Sequence, residues 1–69
     1  QILIKYCEIE ATVLTLRVRG IITEETGEKV TIEPGGRGQF DVFFDGKLVY
    51  SKQKTGRFPE NHEVQKFIP

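Results

Sequence analysis

Apolar and polar positions alternate along this chain in short blocks, and each block predicts an element. Ile2, Leu3, Ile4 and Tyr6 form an apolar, partly β-branched run of the kind a buried strand uses. It ends at Cys7, before the polar, turn-compatible Glu8-Ile9-Glu10. Residues 11 to 22 fit two periods. Ala11, Leu14, Val18, Ile21 and Ile22 share a helix face, whereas Leu14, Leu16 and Val18 alternating with Thr15, Arg17 and Arg19 suit a strand equally well. Gly20 and the β-branched residues weaken a helix by a few tenths to about 1 kcal/mol each, so local propensity leans towards strand.

The second half is plainer. Gly27 closes the ambiguous segment, and Lys29 to Glu33 carry Val30 and Ile32 on one face of a strand. Pro34-Gly35-Gly36-Arg37-Gly38 continues neither helix nor strand and reads as a loop. Phe40, Val42 and Phe44 alternate along a further strand, and Asp45-Gly46 is a strong hairpin signal before Leu48, Val49 and Tyr50. Ser51 to Gly56 reads as a polar, basic loop. Phe58-Pro59-Glu60-Asn61 then introduces a helix with Val64, Phe67 and Ile68 on one side, where Glu60 or Asn61 serves the exposed amides. The order is strand, ambiguous segment, strand, hairpin pair, helix. A parallel neighbour for the first strand needs a crossover, and a helix is the usual one. Tertiary logic therefore predicts a helix over residues 11 to 26, against local propensity.

Composition narrows the function classes. The 69 residues are enough for one small domain, which buries only about 60% of its unfolded surface. Ten Lys+Arg against ten Asp+Glu leave no net charge, which argues against a nucleic-acid or anionic-membrane surface. One Cys and one His cannot build an internal disulfide or a structural zinc site. No apolar run approaches a membrane span and no signal-peptide pattern opens the chain, so the expected setting is reducing and cytoplasmic. The chain opens on Gln1, holds no Met and stops at Pro69 as a helical pattern begins, which leads us to expect a piece of a somewhat longer protein.

Cys7 is the most informative residue. Placed after a buried strand and before the expected helix, it would face a helix N-terminus, whose amides favour a thiolate. A thiolate is what thiol–disulfide exchange requires. Free cysteine also serves as a small buried hydrophobe, and position alone leaves both readings open. The Gly35-Gly36-Arg37-Gly38 loop resembles an anion-binding turn, but it matches no phosphate-binding fingerprint and reads better as an inter-strand connection. His62 has no partners at metal-ligand spacing. Glu24/Glu25 and Asp41/Asp45 read as solvated faces, and Lys52, Lys54 and Arg57 as a soluble basic loop.

Four segments carry a family resemblance: Ile4-Lys5-Tyr6-Cys7-Glu8, Gly35 to Val42, Asp45 to Lys52, and Gly56-Arg57-Phe58-Pro59. In this order the chain resembles the selenoprotein W-like (Rdx) family of small thioredoxin-like proteins. The resemblance implies an α+β (α/β), β-α-β-β-β-α thioredoxin-like fold, with one mixed four-stranded sheet and two helices. It also implies a Cys-x-x-Cys or Cys-x-x-selenocysteine loop at the head of the first helix. Cys7 matches the first position, and Glu10 occupies the second. Against the family spacing the chain is about three residues short after Cys7-Glu8-Ile9, so we expect part of the redox loop to be missing.

The resulting expectation is a thiol-based redox protein with Cys7 as the attacking thiol. No cofactor is implied, and the partner is a thiol or disulfide protein or glutathione. Gly35, Gly36, Arg37, Gly38, Gly56, Phe58 and Pro59 are expected to form docking loops beside Cys7, a placement implied by the family fold. The alternative is a non-enzymatic interaction module on a thioredoxin-like scaffold, with Cys7 structural or regulatory. Exposure and reactivity of Cys7 separate the two. Self-association, if any, is expected through the third strand or the hairpin edge.

Overall fold

The apolar run that opens the chain becomes β1 (Ile2–Tyr6), and it lies inside the sheet rather than at its edge. A computed structural model describes all 69 residues. β1 pairs in parallel with β2 (Val30–Pro34) and antiparallel with β3 (Phe40–Phe44), which pairs in turn with β4 (Lys47–Ser51). The order is β2-β1-β3-β4. β3 is therefore bonded on both sides and offers no free edge, contrary to the sequence expectation. The edges are β2, which ends on Pro34, and β4. Asp45 and Gly46 both adopt positive φ, 52° and 81°, as a two-residue hairpin turn requires.

The parallel β1–β2 pair is joined by α1 (Glu8–Thr26), so the crossover requirement outweighs the strand propensity of residues 11 to 22. Ala11, Thr15, Val18 and Ile22 are buried along one helix face, with Leu14 and Ile21 half-buried beside them. Leu16 is exposed while Val18 is buried, which the alternating strand reading did not allow. The helix begins earlier than expected, because Glu8-Ile9-Glu10 forms its first turn and not a free turn. Ala11 then departs from helical geometry at φ −129°, ψ 18°, and kinks the helix after its first turn. Gly27 ends it at φ 72°, donating its amide to Thr23 O.

The segment read as a basic loop is part strand and part helix. Ser51 is the buried last residue of β4, and Lys52–Thr55 form a single helical turn, α2. The last helix, α3 (Asn61–Phe67), has Glu60 as its N-cap in a capping box with Glu63. α1 and α3 cover one sheet face. Ile2, Ile4, Phe40, Val42, Val18, Ile22 and Val64 are all but fully buried there. Each such side chain contributes roughly 1.5–3 kcal/mol over leaving it in water.

Candidate functional site

The sheet order gathers the chemistry at one end. β2 ends level with Tyr6 of β1, and β3 begins level with it, yet the two strands are not neighbours. Residues 35–39 must therefore cross over the C-terminal end of β1, directly above Cys7. Backbone bonds fix that crossing. Gly35 donates to Tyr6 O at 2.7 Å and Cys7 donates to Gln39 O at 2.8 Å. Inside the loop, Gln39 N–H donates to Gly36 O at 3.1 Å, while Gly36 N–H donates to the Gln39 side chain at 2.6 Å. The loop is thus the inter-strand connection its sequence suggests. β4 also finishes at this end, which delivers α2 and the Gly56–Pro59 segment to the same place.

Cys7 is the N-cap of α1, with extended backbone (φ −81°, ψ 114°), and its carbonyl accepts from Glu10 and Ala11. The Gly38 amide, followed by those of Glu10 and Ile9, holds the thiol pKa below its ordinary value, while burial and the Glu10 carboxylate push the other way. The residue is only 4% exposed. The two functional readings therefore each keep one observation: backbone groups lower the thiol pKa, and the residue is covered.

Of the expected docking residues, Gly36, Arg37, Gly38 and Gly56 do come together. They line an open groove of about 510 Å³ with Gln39, Asp41, Lys52 and Gln53. Gly35 lies in the same crossing loop. Phe58 is half-buried, edge-on to Phe40 with centroids 5.7 Å apart. Pro59 is buried, so its ring packs rather than presenting open surface. The basic set does not act as one patch. Lys52 turns towards the head of α1, Lys54 is exposed, and Arg57 is held by Glu63. His62 is exposed on α3, and no group of three or more His, Cys, Asp or Glu gathers in metal-binding proximity. Asp41 accepts from the Gln39 side chain at 2.9 Å, and Asp45 belongs to the hairpin turn.

Two features escaped the sequence reading. Lys52 pairs with Glu10, its Nζ 3.5 Å from Oε1, and lies over the Phe58 ring at 4.6 Å from the centroid. Nothing in the spacing of residues 10, 52 and 58 announces that contact. The second is an apolar stripe on the outer side of α1, where Ile9 is 88% and Val13 81% exposed, with Leu16 next along. Its i, i+4, i+7 spacing is legible in the sequence.

A model of the Rdx family matches residues 1–69. Mouse migration and invasion enhancer 1 is 33% identical over 70 residues, covering 97% of this chain and 60% of the relative. The bovine protein of that name is 36% identical over 67 residues, covering 93% and 57%. The chain thus spans well under two thirds of the length of these curated relatives. Among solved structures, a selenoprotein W-related protein from Vibrio cholerae superposes with a TM-score of 0.87 at 22% identity, covering 97% of this chain and 89% of that one. A Bordetella parapertussis protein gives 0.86 at 21%, covering 96% and 89%. These superpositions show a thioredoxin-like α+β fold, with the short α2 added to the two helices expected from sequence.

Proposed function

We propose that this chain, which belongs to the Rdx family, is a small thiol-based redox protein with Cys7 as its attacking sulfur. One observation carries the reading: Cys7 is the N-cap of α1 and is hydrogen-bonded to Gln39 of the crossing loop, a position in which the backbone of Gly38, Glu10 and Ile9 lowers the thiol pKa. In the exchange step the Cys7 thiolate attacks one sulfur of a partner disulfide. A new sulfur–sulfur bond forms, the old one breaks, and the departing thiolate takes up a proton. The sequence holds a single Cys, and Glu10 brings no sulfur to the second position of the motif. The mixed disulfide is then resolved by an external thiol, glutathione or a partner protein, which suits a reducing compartment such as the cytoplasm.

The test is intact mass before and after iodoacetamide at neutral pH. Rapid gain of one alkyl group by the native protein, lost in a Cys7→Ser variant that still folds, supports the reading. Labelling that requires denaturant removes it. A second reading has its own observation. With 4% exposure, Cys7 serves equally as a packed N-cap of an interaction module, in which case Cys7→Ser lowers stability and no exchange occurs.

A further inference from the structure

Cys7 is held by two segments: its carbonyl accepts from Glu10 and Ala11 in the first turn of α1, and its amide donates to Gln39 of the crossing loop, next to Gly38. One side chain spans both. Lys52 Nζ is 3.5 Å from Glu10 Oε1 and 4.0 Å from where a Cβ on Gly38 would lie. The Phe58 ring, 4.6 Å away by its centroid, carries the ammonium from beneath. Glu10 itself plays two opposed parts, since its amide favours the thiolate and its carboxylate opposes it. A cation held on that carboxylate offsets the opposition while leaving the amide in place.

We propose that Lys52 is the positioning residue of this thiol: seated on Phe58, it clamps the Gly38 loop to the first turn of α1 and neutralises Glu10, so that the Glu10–Lys52 pair sets how readily Cys7 reacts. The inference rests on the thiol-exchange reading above. Other charges nearby are committed or screened. Lys5 is paired with Glu33 and Arg57 with Glu63. Asp41 is occupied by Gln39. Glu8, Arg37, Lys54 and Glu60 are exposed, as is Glu10, whose side chain is 45% exposed, but Glu10 is the carboxylate that Lys52 pairs with. Tyr6, the remaining ionisable neighbour, is buried in the core.

The test follows thiolate formation by ultraviolet absorbance and iodoacetamide labelling rate, both against pH, in four proteins. Lys52→Gln leaves Glu10 uncompensated, and its labelling at neutral pH is expected to slow by roughly threefold, with thiolate appearing at higher pH. Glu10→Gln is expected to shift both readouts the opposite way. The double variant returns to within about twofold of the parent, because removing both opposite charges leaves no net charge beside the thiol, as in the parent. Lys52→Arg keeps the charge and restores most of the parent profile. A purely structural role predicts instead that Lys52→Gln lowers the melting temperature with an unmoved thiolate titration, and that result overturns the proposal. Equal, additive losses in the double variant overturn it too. If the parent shows no thiolate below the ordinary range, the thiol-exchange reading falls as well, whereas an acidic parent thiol that Lys52→Gln leaves unmoved sinks only the clamp.

Discussion

The Cys7 amide donates to the Gln39 carbonyl at 2.8 Å, tying the end of β1 to the loop that crosses it. That bond holds Gly38, the residue before Gln39, beside the cysteine, and the Gly38 backbone is the largest influence lowering the thiol pKa. The geometry depends on Gly38 holding a positive φ of 72°. An added Cβ meets nothing closer than Lys52 Nζ at 4.0 Å, so space is not the obstacle to a larger residue. Backbone conformation is.

Gly38→Ala should therefore cost about 1–2 kcal/mol from the left-handed backbone alone. Relaxation of that strain turns the amide away, so thiolate formation at Cys7 should also move to higher pH. Urea unfolding and a thiol titration check the two effects. A variant as stable as the parent, with an unchanged thiol, would show that the loop does not position the sulfur.

How much of this was visible in the residues depends on which atoms carry it. Side-chain patterns announced β1, the Phe40-Val42-Phe44 strand, the Asp45-Gly46 turn and the Gly27 cap, and the structure has each of them. Helix α1 was legible only through the topology of a parallel pair. Lys52–Thr55 is a single turn, too short for any period to show. Cys7 could be singled out by position, but its surroundings are amides of Gly38, Glu10 and Ile9, and backbone groups leave no signature in residue identity. The Lys52–Glu10 contact joins positions distant in sequence that only the crossing loop and β4 bring to one end.

Thr15 is polar and lies outside the apolar helix face that the sequence marks, yet the structure buries it in the core. It is fully buried on the inner face of α1 between Ala11 and Val18, and its hydroxyl has no hydrogen-bond partner. An unpaired buried hydroxyl costs about 1–3 kcal/mol, and valine has nearly the same shape. Thr15→Val should accordingly raise the urea midpoint, by an amount worth about 1 kcal/mol, since valine and threonine have nearly equal helix propensity. A lower midpoint would mean that the hydroxyl finds a partner in solution.

Arg57 and Glu63 make a two-pronged ion pair, and Glu63 also accepts the Glu60 amide at 2.8 Å in the capping box of α3. The Arg57 guanidinium, followed by that amide, lowers the Glu63 pKa from 4.5 to about 2. A carboxyl depressed on folding binds its proton more readily in the unfolded chain. Its stabilisation is thus present above the unfolded value and is lost as pH falls through the window from 4.5 towards about 2. Melting temperatures measured across that window should fall more steeply for the parent than for Glu63→Gln. Parallel profiles would assign the acid sensitivity to other carboxylates.

Glu10 stands three residues after Cys7, across the single turn that precedes the Ala11 kink. Residues so spaced at a helix head lie within the span of a disulfide. Glu10→Cys therefore supplies the resolving thiol that the present chain lacks. Equilibrated with glutathione disulfide, the parent should stop at one glutathione adduct per molecule, one glutathione leaving as the thiol. In the variant the second cysteine attacks that mixed disulfide, releases the bound glutathione as thiol, and closes an internal bond two hydrogens lighter than the reduced protein. Intact mass separates the two products. Persistent double adducts in the variant would show that the first turn of α1 is too rigid, or too far from Cys7, for dithiol chemistry, and that this site works with one sulfur.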